Sequence, residues 1–347
     1  MTPQLPTPAA RRSPSGRPLI VRIRNWVGDV VLGLPALRMI EDAGYDLVIV
    51  ARGKWAPALL SGYGWPVHLQ PAKLGDKLRQ LRTLRAQCLA IDPQFNRREN
   101  ALVMPESFSS ALEMRLAGLK AFGYAKEGRS PLLKRSAPIV LGGHALISYW
   151  NLACHFLRVK REPPALVDLQ VNPAKADEAR RLLAAHGVAG EFVLICPFAA
   201  GLATARKLNK KWPAFAEFVQ LADQQLGMPL VVYPGPGEHA QARELYPAAR
   251  MIEGSDLAVY IGLLQQATLV VANDTGPAHM AAALGNRLLS VLGPTIAVEW
   301  APWGPKVKVL QLPQTGDDSA WPTAPVVLAE AQAQLAQARA ERAAAGA

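Results

Sequence analysis

Asn25-Trp26-Val27-Gly28-Asp29 follows directly on the apolar run Leu19–Arg24, and its aspartate is placed to take a proton. A carboxylate at the end of a strand and the mouth of the next helix is favoured in its ionised form by the helix N-terminus. It serves as a general base once a substrate hydroxyl comes within hydrogen-bond reach. The same placement also suits a simple helix N-cap. A second cluster, Asn273-Asp274-Thr275-Gly276-Pro277-Ala278-His279, likewise follows an apolar run. Gly276 permits close backbone approach and Pro277 fits the first helical turn. The N–H groups there form an anion site, Thr275 adds a hydroxyl, and Asp274 can accept protons from a polyol. His279 taken alone reads more readily as a buried structural histidine than as a donor contact.

Two further segments carry the same flavour. Arg206-Lys207-Leu208-Asn209-Lys210-Lys211-Trp212-Pro213 places four cations just before a helix start, which suits a diphosphate or an exposed basic loop. In Pro234-Gly235-Pro236-Gly237-Glu238-His239 the glutamate either holds the hydroxyls of a ribose or simply charges a helix start. No D-x-D, H-E-x-x-H or His/Cys cluster occurs, so neither a metal nor any other cofactor is expected. No G-x-S-x-G occurs, and no G-x-G-x-x-G follows the first strand. These absences argue against an α/β serine hydrolase and a nicotinamide dehydrogenase.

The elements that must carry these clusters alternate along the chain. Strands are predicted at 19–24, 46–51 and 101–105, with helices over 30–43 and 73–89. After a Pro- and charge-rich break the pattern resumes with helix 174–186, strand 192–197, helix 213–226 and strand 229–234. Helix 256–266, strand 268–274, helix 277–284 and strand 288–293 follow. The Ala/Glu/Gln-rich tail beyond Pro325 is predicted as one exposed helix. Alternation of this kind specifies an α/β protein with parallel sheets. The expected domains are a disordered leader (1–17), a first Rossmann-like domain (18–160), a linker (161–173), a second Rossmann-like domain (174–324) and a C-terminal helix (325–347).

Half of the 347 residues are apolar and 19% are charged, which excludes global disorder. The three cysteines, Cys88, Cys154 and Cys196, form no C-x-x-C pair and are expected in a reducing, cytoplasmic compartment. The net charge of +11 is unevenly spread. Residues 1–173 hold 24 Lys/Arg against 12 Asp/Glu, whereas residues 174–347 hold 14 against 15. A basic half beside a neutral one points to an anionic partner for the first half, or to a general solubility effect. The uncharged stretch 137–157 is long enough to span a bilayer, but Gly142-Gly143 splits it into a strand and a helix.

Taken together the residues resemble the lipopolysaccharide heptosyltransferases of glycosyltransferase family 9, over about residues 18–312. N-W-V-G-D-V-V-L-G-L-P-A-L (25–37) and M-P-E-S-F-S-S-A-L (104–112) are closest to the heptosyltransferase II branch. K-K-W-P (210–213), N-D-T-G-P-A-H (273–279) and L-G-P-T (292–295) follow in the family's order. The resemblance implies a GT-B fold, in which two doubly wound domains face each other across a cleft. It implies an inverting transfer of heptose from ADP-L-glycero-D-manno-heptose to the inner core of a lipid-anchored, anionic lipopolysaccharide precursor of a Gram-negative cell. Asp29 would be the catalytic base. Lys210, Glu238, Asp274, Thr275, Gly276 and His279 would hold the donor. Lys207 and Lys211 compete with Lys210 for the diphosphate, and Thr204 takes the place of a hydroxyl that meets the phosphates. Arg24, Asn25 and Trp26, beside the base, are the expected acceptor contacts.

The partners so implied are ADP-heptose, the anionic core oligosaccharide and, peripherally, the cytoplasmic face of the inner membrane, but not nucleic acid. Two alternatives share the fold: a GT-B transferase for another nucleotide sugar, and a non-catalytic nucleotide-sugar or glycan-binding protein. A nucleic-acid-binding protein is disfavoured, because its signatures are absent and the cations are not interleaved with aromatics.

Overall fold

A computed structural model describes residues 16–139, 142–199, 202–203, 208–254, 256–313 and 320–346. All but the last two residues of the expected leader lie outside this set. The chain divides into two compact units, one ending at Pro164 and the other beginning at Ala165. No helix or strand occurs between Leu157 and Pro173.

In the N-terminal unit the elements run β1 (Pro18–Arg22), α1 (Val27–Asp42), β2 (Asp46–Ala51), α2 (Ala56–Leu59), β3 (Val67–Leu69) and α3 (Leu74–Ile91). They continue with β4 (Ala101–Val103), α4 (Phe108–Leu116), β5 (Ala121–Tyr124), β6 (Arg135–Ala137) and α5 (Ala145–Leu157). The sheet has the order β3-β2-β1-β4-β5-β6, and every pair is parallel. The sequence explains why: β1, β4 and β5 are buried along their whole length, as expected for strands covered on both faces by crossover helices. The strand order reverses between β1 and β4, which is where doubly wound sheets bind ligands.

The C-terminal unit repeats the design. Its elements are α6 (Pro173–Ala185), β7 (Val193–Cys196), β8 (Leu202–Ala203), β9 (Leu208–Asn209), α7 (Phe215–Gln225), β10 (Leu230–Val232), α8 (His239–Leu245) and β11 (Arg250–Met251). Then come α9 (Leu257–Gln266), β12 (Leu269–Asn273), α10 (Gly276–Ala283), β13 (Leu288–Val291), α11 (Ala297–Trp300), β14 (Val307–Leu310) and α12 (Ala324–Gly346). The main sheet has the order β11-β10-β7-β12-β13-β14. All its pairs are parallel, and its reversal lies between β7 and β12. The small β8–β9 pair is antiparallel.

Within 137–157 the helix after Gly142-Gly143 is present as α5, but the strand lies earlier than expected: β6 ends at Ala137, before Pro138, which has no N–H to extend a ladder. No helix among the described residues is long and apolar enough to cross a membrane. The tail requires a correction. Its helix is present, but it is not an exposed one: Val327, Leu328, Ala331 and Leu335 lie in the core with Phe215, Phe218 and Val219 of α7. The i, i+4, i+8 spacing of Val327, Ala331 and Leu335 lines one face. Alanine-rich composition hides that face in the sequence, although small side chains let the helix approach closely. Arg287 ties the same helix down through Gln334 and Glu341. Because Leu335 is buried, Leu335→Ala is expected to cost about 2–5 kcal/mol by cavity formation. Urea unfolding measures this; a loss below about 0.5 kcal/mol, the level of a neutral surface substitution, would show α12 detached in solution.

Candidate active site

In the N-terminal unit, β1 delivers Arg24, Asn25 and Trp26 to the carboxyl edge of the sheet, and α1 begins at Val27 rather than at Val30. This earlier start overturns the N-cap reading of Asp29. Trp26 holds the cap position without a side-chain bond, and Asp29 lies inside the first turn, where the helix still favours its negative charge. Asp29 Oδ1 accepts two hydrogen bonds, from Arg24 Nε at 3.2 Å and from the Tyr149 hydroxyl of α5 at 2.5 Å. No described residue donates to Oδ2. One oxygen is therefore pinned while the other stays open to a proton.

The surroundings tune this carboxylate's partners. Burial by itself lowers the Arg24 pKa, but Tyr149, Asp29 and Glu106 outweigh it and hold the guanidinium above its usual value. Burial and the Asp29 carboxylate together push the Tyr149 phenol well above the usual tyrosine range. Tyr149 is thus a fixed proton donor towards Asp29. Glu106, from the M-P-E-S segment after β4, reaches Arg24 Nη1 at 3.8 Å and pairs with Lys126. Buried Arg129 holds that segment in place, donating to the carbonyls of Pro105 and Ser107 at 2.5 and 3.2 Å. Asn25 is oriented by Arg22 Nη2 at 3.0 Å, and Trp26 stands 65% exposed.

In the C-terminal unit three separate motifs meet on one carboxylate. Asp274 Oδ2 receives Lys210 Nζ at 2.6 Å and the Thr295 hydroxyl at 2.5 Å. K-K-W-P, N-D-T-G-P-A-H and L-G-P-T thereby converge. The neighbouring Asn273 locks the first to the second, accepting from Trp212 N at 3.0 Å and donating to the Pro197 carbonyl at 2.5 Å. Trp212 is buried among Phe215 and Phe218 and donates through its indole to the Pro322 carbonyl at 2.8 Å. Lys210 is held on Asp274, whereas Lys211 is exposed. Thr204 and Lys207 lie outside the described residues.

Thr275 caps α10 with extended backbone and makes no side-chain bond to the helix, and Pro277 sits in its first turn. His279 is buried. Glu238 stands at the start of α8, where its Oε2 accepts from Gly235 N at 2.7 Å and shapes its own loop. Sequence reasoning missed Tyr149 and Thr295 as site residues. Thr295 belongs to a motif directly after β13, a usable signal. Tyr149 lies 120 residues from its partner on a helix face, and only packing reveals it.

A pair of six-stranded parallel sheets of the same order, each with polar groups beyond its carboxyl edge, defines the GT-B class of glycosyltransferase. Within that class the chain belongs to glycosyltransferase family 9 (heptosyltransferase), whose family model matches residues 94–320. It is 25% identical over 310 residues to lipopolysaccharide heptosyltransferase 2 of Escherichia coli strain K12, covering 83% of this chain and 86% of the relative. The solved ADP-heptose lipopolysaccharide heptosyltransferase II of E. coli superposes with a TM-score of 0.73 at 24% identity, over 92% of this chain and 99% of that one. E. coli heptosyltransferase WaaC with ADP-2-deoxy-2-fluoro heptose matches with a TM-score of 0.63 at 22% identity, over 89% and 97%.

The raised Tyr149 pKa gives a direct check. Ultraviolet difference titration of the chain against Tyr149→Phe should show no ionisation assignable to this residue below pH 10. A component titrating below pH 10 would contradict its burial against a carboxylate.

Proposed function

We propose that this family 9 glycosyltransferase transfers heptose from ADP-L-glycero-D-manno-heptose to the inner core of a phosphorylated lipopolysaccharide precursor, with inversion. Support comes from the curated relative, a lipopolysaccharide heptosyltransferase, and from the related structure that holds an ADP-heptose analogue. The observation that carries the chemistry is Asp29, with one oxygen pinned by Arg24 and Tyr149 and the other open.

In this reading an acceptor hydroxyl gives its proton to Asp29 Oδ2 as its oxygen attacks the anomeric carbon of the donor. The bond from that carbon to the diphosphate breaks on the opposite side, and ADP departs with the electron pair. Lys210, held on Asp274, and the N–H groups at the start of α10 offer the positive potential that the developing diphosphate charge needs. Thr275 and Gly276 lie at that start, while Glu238 and His279 complete the donor set. Arg24, Asn25 and Trp26 are the acceptor contacts in the basic N-terminal unit. That unit's excess of cations also draws the enzyme to the anionic face of the inner membrane, where the acceptor is anchored, at about 1 kcal/mol per well-placed cation.

A positioned general base contributes roughly 10²–10⁴-fold. Asp29→Asn should therefore lose about that factor in turnover while its ADP affinity stays within about twofold, as read by initial rates and calorimetry. Wild-type turnover in Asp29→Asn would remove the base from Asp29. Lys210→Ala should instead weaken ADP binding, by about tenfold or more for one lost charge-assisted contact. Unchanged ADP affinity in that variant would place the diphosphate elsewhere.

A further inference from the structure

The opposite end of the N-terminal sheet carries a second polar concavity that the transfer reaction does not use. It has a volume of about 640 Å³, within the range of small-molecule sites. Its walls come from residues that precede β1, β2, β4 and β6 and from the C-terminal ends of α1 and α5. It therefore opens at the amino edge of the sheet, whereas Asp29 stands at the carboxyl edge. At about 3.3 Å of rise per residue, the five residues of β1 alone separate the two edges by about 16 Å.

The lining is cationic out of proportion to the unit's composition: seven residues are Arg or Lys and two are acidic. Some of these cations are structural. Arg135 forks onto Glu99 at 2.7 and 2.8 Å and donates to the carbonyls of His155 and Phe156. Arg97, Lys134, Arg158 and Arg161 make no ion pair among the described residues. Arg98 is committed to Asp92. Tetrahedral oxyanions satisfy unpaired guanidiniums well.

Arg158 holds an unusual backbone position at the rim. It closes α5 in the left-handed region, with φ 59° and ψ 42°, a position that glycine fills at least cost. An arginine at the rim of a cationic cavity supplies a charge there that glycine cannot. Beneath it lies an aromatic floor in which Tyr45 and Phe156 sit 5.3 Å apart and the Arg17 guanidinium lies 4.1 Å over the Tyr45 ring.

We propose that this cavity is a second, non-catalytic anion site that binds a phosphate group, carried either by a soluble phosphorylated molecule or by a lipid headgroup. The test uses the full chain with pyrophosphate as probe, read by titration calorimetry. The comparison is with R97Q/K134Q/R158G, which changes three exposed side chains and puts glycine at the left-handed position, and with K210A, which alters the proposed donor site. The wild type should show a pyrophosphate site that weakens at least tenfold in the triple variant and persists in K210A. Thermal melting checks folding, and R158G alone should melt no lower than wild type.

Phosphatidylcholine vesicles with and without phosphatidylglycerol separate the sources. Phosphatidylglycerol-dependent sedimentation that is lost in the triple variant and displaced by pyrophosphate supports the site with a headgroup as ligand. Pyrophosphate binding without vesicle binding supports it with a soluble ligand. Equal pyrophosphate affinity in wild type and triple variant, or loss of all binding in K210A, would overturn the proposal.

Discussion

The Asp274 carboxylate sits at the end of β12 with 6% of its surface exposed, and a lysine and a threonine hydroxyl both converge on its Oδ2. A charge so nearly removed from water must be compensated locally, and this need organises the C-terminal site. Strand alternation sends Asn273 the other way, into the core, where it bonds Trp212 N and the Pro197 carbonyl. The last residue of β12 and the one that follows it thus fix both the backbone and the side chain of the K-K-W-P segment. Removing either partner of such a pair costs more than the pair is worth, because it leaves the other charge uncompensated. Lys210 consequently has a defined place, which would reduce the ordering cost of the diphosphate contact proposed for it.

The N-terminal unit applies the same logic with arginines. Arg22 is buried at the end of β1, and burial pushes its pKa down to about 10. It donates to the Ile23 carbonyl at 2.7 Å and to Asn25 at 3.0 Å, so the turn carrying Trp26 and Asp29 hangs from it. Arg129, fully buried, does the same for the segment that carries Glu106. These buried guanidiniums act on loop shape. Arg24, closer to the surface, acts on the charge of Asp29.

Much of this was legible in the sequence. Fully apolar runs such as Leu47–Ala51 and Leu269–Ala272 specify buried parallel strands, and the polar clusters that end them mark the carboxyl edge. Asp29, Lys210 and Asp274 stand out because each follows such a run or precedes a helix start. The strands β3, β5 and β11 have two to four residues, too few for periodicity to announce them. The Tyr149–Asp29 bond depends on α1 packing beside α5, a tertiary fact with no local signature. The buried face of α12 escaped because alanine contributes contact without looking apolar in a charged and amide-rich helix. The start of α1 was misplaced by three residues, and that small shift decided whether Asp29 caps the helix or lies within it.

The proposed function requires that the C-terminal unit bind an adenosine diphosphate. The most direct measurement is thermal melting of the full chain against ADP, UDP and GDP at equal concentrations. A nucleotide present at about 100 times its Kd adds roughly 2.7 kcal/mol, a readable rise in Tm. The account predicts a rise with ADP that UDP and GDP do not match. A larger rise with UDP or GDP, or none with any of the three, would contradict it.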